Sequence, residues 1–185
     1  MGREEAWMSA GIEERLRRVE DELELHRLVA RYAVAVDDRD AATLSELYAS
    51  DAEFDGRDRI VRGRNAVVNY LCEQTASYGP SIHVPQSLLI TWFDDGHASG
   101  LATGAAELSL LGKRLLCAFR YYDDYVREDA QWRFRRRDIQ FIYAAPTEEL
   151  AEIYAGELRK RWPGAEPAPA DIPETLSTWR DSKGL

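Results

Sequence analysis

Ser81-Ile-His-Val-Pro-Gln-Ser-Leu-Leu-Ile-Thr-Trp-Phe93 is the first of four strand-like runs that fill the second half of the chain and decide its fold. It is rich in β-branched and aromatic residues, as are residues 98–110, 115–128 and 132–143 after it. The breaks between the runs, Asp94-Asp-Gly96, Leu111-Gly-Lys113 and Asp129-Ala-Gln131, are short enough to join antiparallel neighbours. The pattern predicts a meander. In the last run the apolar residues switch parity, from Trp132 and Phe134 to Ile139, Phe141 and Tyr143. A β-bulge or sharp bend produces such a switch and lets a sheet curl.

Helical signals lie ahead of the meander. Apolar residues recur at helical spacing over residues 12–38, which predicts one long helix or two in series. Its first part, Glu13-Glu-Arg-Leu-Arg-Arg-Val-Glu-Asp-Glu22, is dense in charges of opposite sign and predicts an exposed helical arm. Asp40 suits the N-cap of a short helix over residues 41–49, and Val67, Val68 and Leu71 mark a third over residues 65–75. A brief strand at 52–55 and a turn at Gly56-Arg-Asp-Arg59 separate the two. After the meander, residues 147–161 predict a helix and the proline-rich stretch from Trp162 to Pro173 an extended tail. The expected organisation is an arm at residues 1–14, one domain at 15–145, and a C-terminal helix and tail at 146–185. The expected fold is α+β: a cone whose curved antiparallel sheet wraps around the N-terminal helices and leaves a cavity on its concave side.

At 185 residues with 45% hydrophobic and 31% charged content, the composition is that of one globular domain. Its 33 acidic against 24 basic residues give a formal charge of -9, which works against general affinity for nucleic acid or anionic membranes. The two cysteines, Cys72 and Cys117, are too few for a disulfide scaffold and too far apart for a metal knot. No apolar run has the length of a membrane span and no signal peptide opens the chain, so a cytoplasmic location is expected. His26, His83 and His97 form no convincing zinc set, and no cofactor is expected.

Two polar residues stand out. Asp37 ends the long helical stretch in Tyr32-Ala-Val-Ala-Val-Asp-Asp-Arg-Asp40, and His83 opens the first strand run. Brought together in an apolar cavity, the carboxylate would orient the imidazole as a base near neutral pH. Read singly, an Asp at a helix end is commonly a cap and a strand His commonly structural. Arg137 shares the parity of Ile139 and Phe141, which turns it inward, while Tyr32, Tyr48 and Tyr121 offer hydroxyls to a ligand and Phe54 and Phe119 apolar walls.

The blocks 26–54, 61–67, 82–84 and 125–134, the last ending in Trp-Arg-Phe, resemble in order and spacing the SnoaL-like group of the NTF2-like superfamily. They are similar to its branch containing scytalone dehydratase and hexachlorocyclohexane dehydrochlorinase. The resemblance spans residues 15–145 and implies an α+β cone, dimers or trimers, and neither organic cofactor nor metal. It places the family's Asp-His dyad on Asp37 and His83, and the dehydrochlorinase's arginine on Arg137. The chain departs from scytalone dehydratase in having Val36 before the aspartate and no histidine after His97, and from the dehydrochlorinase in having Tyr32 in place of a lysine. The implied function is a cofactor-independent lyase, a dehydratase-type elimination on a small apolar or aromatic metabolite. The alternatives are an isomerase or cyclase using the same dyad, or a non-catalytic ligand-binding or accessory subunit.

Overall fold

The computed structural model describes residues 11–160 and 165–184; most of the N-terminal arm and Trp162 to Gly164 of the tail lie outside the described residues. Helix α1 (Ile12–Asp38) is a single helix of 27 residues. It buries Leu25, Leu28, Val29, Tyr32 and Val36, spaced three or four apart, against the sheet. It ends at Arg39, whose left-handed backbone (φ 58°) returns its N–H to the carbonyls of Ala35 and Val36. Helix α2 (Ala41–Leu47) starts one residue later, with the Asp40 carboxylate accepting from Thr43 N at 3.0 Å. Strand β1 (Tyr48–Asp55) is longer than the expected 52–55, and β2 (Ile60–Arg62) and helix α3 (Arg64–Ala76) follow.

The four long runs are β3 (Tyr78–Trp92), β4 (His97–Leu110), β5 (Lys113–Glu128) and β6 (Gln131–Pro146). They form the expected antiparallel meander within a six-stranded sheet of order β2-β1-β6-β5-β4-β3. One join differs from a purely antiparallel sheet: β1 runs parallel to β6, with Phe54 opposite Arg137. A chain that leaves β1 through a helix and a three-stranded meander re-enters beside it in the same direction, which short-range patterns do not encode.

The parity switch in β6 has a structural cause. Tyr125 pairs with Phe134 and Asp124 with Arg136, so Arg135 is an extra residue in the ladder. Before it Trp132 and Phe134 face the core; after it Arg137 and Ile139 do. Strand β4 presents Ala98, Gly100, Ala102, Gly104 and Ala106 to the helices, a row small enough for large rings to lie over it. A Cβ on Gly104 would stand 2.6 Å from the Phe119 ring, so only glycine admits that ring here.

The C-terminal region departs from expectation. The predicted helix over residues 147–161 is reduced to α4 (Leu150–Ala155), and a further helix, α5 (Ser177–Lys183), follows the proline-rich stretch. Between them the tail is docked. Ala170, Asp171 and Ile172 are buried, Ala144 N donates to Lys160 O at 2.7 Å, and Phe141 N donates to Asp171 Oδ2 at 3.1 Å. Because β1 accompanies β6 only as far as Asp138, the free edge of β6 beyond that point is taken by this segment. Among the described residues no helix is long and apolar enough to cross a membrane.

Candidate functional site

A cavity of about 470 Å³ lies between the concave face of the sheet and helices α1 and α3, within the size range of small-molecule sites. Tyr32, Phe54, His83, Phe119 and Tyr121 line it, together with Val36, Ile139, Phe141 and Leu108. His83 reaches it because β3 alternates: Ser81 and His83 turn inward while Ile82 and Val84 turn out. Pro85 is tolerated just beyond because β3 is an edge strand.

Asp37 stands behind His83. Its carboxylate accepts from His83 Nδ1 at 2.7 Å, from His83 N at 2.7 Å and from Ser81 Oγ at 2.8 Å. The two side chains are 17% and 15% exposed, sheltered but in contact with the open space. Burial opposes ionisation of Asp37, but the bonds from the His83 ring, the His83 backbone and Ser81 outweigh it and hold the carboxyl below its usual range. A neutral imidazole bonded to a carboxylate through Nδ1 carries its proton on that nitrogen, which leaves the Nε2 lone pair for a ligand. A residue that sequence reading passed over joins the two elements that carry the pair. The Arg39 guanidinium donates to the carbonyls of Tyr78 at 2.9 Å and Gly79 at 2.6 Å, and to Asp37 O at 3.0 Å, tying the end of α1 to the start of β3.

Arg137 is placed differently from its expectation. It is wholly buried and bound in two-pronged fashion to Asp123, with Nε to Oδ1 at 2.8 Å and Nη2 to Oδ2 at 2.7 Å. Its guanidinium carbon lies 3.9, 4.0 and 4.2 Å from the ring centres of Phe134, Tyr121 and Tyr32. Burial works against its charge, yet Asp123 prevails and holds it protonated. It does not line the main cavity but borders a crevice of about 20 Å³ shared with His83, Tyr32 and Tyr121, room for a single water. Burial pushes the Tyr32 hydroxyl up in pKa against the opposing pull of the Arg137 charge, and Tyr121 well up, so both stay neutral donors.

Tyr48, expected as a ligand contact, is not on the cavity wall. Its ring is fully buried against Tyr32 and Phe134, at centroid distances of 6.3 and 5.4 Å. Position 48 begins β1 and is not in the last turn of a helix.

The other end of the cavity was not visible in sequence. Tyr70 OH donates to Asp58 Oδ1 at 2.6 Å, and Arg57 reaches Asp171 and Asp138 at 3.4 and 3.6 Å. Arg57, Asp58, Tyr70 and Asp171 all line the cavity, so the tail supplies part of its wall. Among the described residues no group of three or more His, Cys, Asp or Glu is placed to hold a metal ion. Cys117 lines the cavity as a thiol pushed up to about 12 by burial.

Solved structures with this fold include a candidate scytalone dehydratase from Novosphingobium aromaticivorans DSM 12444, 18% identical over 81% of this chain and 98% of its own, with a TM-score of 0.66. A type 2 hexachlorocyclohexane dehydrochlorinase is 19% identical over 81% and 99%, also at 0.66. The type 3 enzyme from Novosphingobium barchaimii LL02 is 20% identical over 71% and 92%, again at 0.66. At such identities the likeness is one of fold. No curated protein matches the sequence. Residues 17–138, well over half of the sequence, match the SnoaL-like domain family, and the chain belongs to it.

Proposed function

We propose that this protein is a cofactor-independent lyase that eliminates water or a similar small group from an apolar or aromatic metabolite, with His83 as the base and Asp37 as its orienting carboxylate. The observation that carries the reading is the 2.7 Å hydrogen bond between His83 Nδ1 and the Asp37 carboxylate, at the wall of a largely apolar cavity. Neutral His83 would take a proton from carbon through Nε2; Asp37, ionised by its three hydrogen bonds, would stabilise the imidazolium that forms. Tyr32 and Tyr121 would donate to the carbonyl or departing oxygen, and Phe54 and Phe119 would hold the ring of the substrate. Arg137 would act through the tyrosines that stack on it, by fixing their rings and by its field.

The test is a metabolite-depletion screen run with the wild type and His83→Ala in parallel, followed by kinetics on the compound consumed. His83→Ala and Asp37→Asn should each lower turnover by ~10²–10⁴-fold with unchanged circular dichroism. Full activity in either variant removes the mechanism.

One observation favours a second reading, isomerisation or ring closure begun by the same proton abstraction. The Arg137 charge is matched by Asp123, so Arg137 does not face a departing anion as an unpaired cation. Deuterium uptake into recovered substrate without loss of water would select it.

A further inference from the structure

The cavity has two unlike ends, carried by opposite edges of the sheet. His83 lies on β3, one edge strand, while Arg57 and Asp58 lie in the turn that joins β1 to β2 at the other edge. Phe119 on β5 and Ile139 and Phe141 on β6 line the space between them. A ligand with an apolar body fits that middle, and one that fills the cavity meets the turn with the end remote from His83.

The turn is shaped to hold charged groups there. A Cβ at Gly56 would stand 2.1 Å from the Tyr70 hydroxyl, so glycine makes room for that group, which donates to Asp58 Oδ1 at 2.6 Å. Arg57 follows with a left-handed backbone (φ 72°), a conformation that disfavours a long side chain, and its N–H donates to Asp55 Oδ1 at 3.0 Å. Asp171 arrives from the tail, buried and accepting from Phe141 N.

The charges at this end do not balance. Arg57 has two carboxylates beside it, Asp171 at 3.4 Å and Asp138 at 3.6 Å. The neighbouring Arg59 pairs with Glu73 at 3.1 Å. Asp58 is left with the Tyr70 hydroxyl, which burial and then the Asp58 charge hold above its usual pKa, so that it stays a neutral donor. The Arg57 cation thus stands against the carboxylates of Asp58, Asp138 and Asp171, and Asp58 keeps Oδ2 beyond the oxygen that Tyr70 occupies. Such a pole attracts a cation that brings hydrogen-bond donors and repels an anion.

We propose that this far end is a binding site for a protonated amine, so that the ligand is an organic cation whose ammonium group sits at Asp58 and whose apolar or aromatic body extends toward His83. The proposal rests on the reading of the cavity as the substrate site, and not on the reaction assigned to His83.

The test titrates phenylbutylamine, phenylbutanol and phenylbutyrate, which share one skeleton, into the isotope-labelled full chain at low salt, followed by NMR. The amine should bind about 10-fold or more tightly than the alcohol and the carboxylate most weakly, with the amine shifting the amide resonances of Asp58 and Tyr70. Asp58→Asn, which keeps an acceptor for Tyr70, should bring the amine down to the affinity of the alcohol. Arg57→Gln removes the cation of this end and should widen the lead of the amine over the carboxylate. Equal affinity of amine and alcohol, a carboxylate that binds best and is weakened by Arg57→Gln, or an amine preference that survives Asp58→Asn would each overturn the proposal. These titrations involve no turnover, so their failure counts against this site alone and failure of the metabolite screen against the dyad alone.

Discussion

Two of the molecule's aspartate–nitrogen pairs, Asp123 with Arg137 and Asp37 with His83, differ in an informative way. Asp123 and Arg137 are both 0% exposed, joined by two parallel bonds, and enclosed by three aromatic rings. Asp37 and His83 share one side-chain bond, and the imidazole stands at the wall of a cavity. The first pair commits both carboxylate oxygens and two of the three guanidinium nitrogens to each other, with Arg137 Nη1 left over inside the core. The second keeps one ring nitrogen for something else. Access and an uncommitted lone pair, and not charge or burial, therefore separate the pair that a ligand can reach from the pair enclosed in the core.

The largest effect that could break this contrast comes from the buried pair. Asp123→Ala should destabilise the protein by about 3–5 kcal/mol in urea unfolding, because it leaves the Arg137 charge without a counterion. Replacing both partners by apolar residues of similar volume should recover much of that loss. If the single change is mild, Arg137 is better solvated than its position indicates. Next, Gly104→Ala sets a methyl against the Phe119 ring at 2.6 Å and should cost ~1–3 kcal/mol. Since Phe119 touches both His83 and Tyr121, the same variant should perturb the ring resonances of His83 in NMR spectra.

Smaller effects sharpen the comparison from the other side. Asp37→Asn should cost about 1–2 kcal/mol at neutral pH. Because the folded carboxyl titrates below its unfolded value, the stabilisation is complete above the free pKa of about 3.9 and is lost as pH falls through the lower folded value. Unfolding curves for the wild type and Asp37→Asn should therefore converge in acid; a gap that widens there would mean that Asp37 is destabilising when ionised. Ser81→Ala removes one of the three donors to Asp37 and should cost roughly 0.5–1.5 kcal/mol, with the carboxyl pKa moving up by NMR titration.

How much of this was legible in sequence depends on how local the cause is. The 3.6-residue spacing of Leu25, Leu28, Tyr32 and Val36 marks α1, and the parity switch around Arg135 marks the bulge, because both are rules of neighbouring residues. The meander was readable for the same reason. The parallel join of β1 to β6 was not, since it pairs Phe54 with Arg137 across most of the domain. The inward turn of Arg137 followed from parity, but its capture by Asp123 required knowing that β5 lies beside it in that register. Tyr48 was expected to face inward and does, but inward there means the core beside Tyr32 and Phe134 and not the cavity wall, a distinction that periodicity does not carry. Arg39 sits in a run of charges that reads as solvated surface, and only the approach of β3 shows what its guanidinium holds.

The docking of Asp171 on β6 bears on where this protein can be cut. Homology delimits residues 17–138, yet Ile139, Phe141 and Asp171 border the hollow and the backbone of β6 leans on the segment that follows. An expression clone trimmed to the matched stretch would strip away part of the container and bare a row of amide and carbonyl groups ready to zip onto another molecule, inviting precipitation. The evolutionary module is thus shorter than the unit that can be handled in a tube.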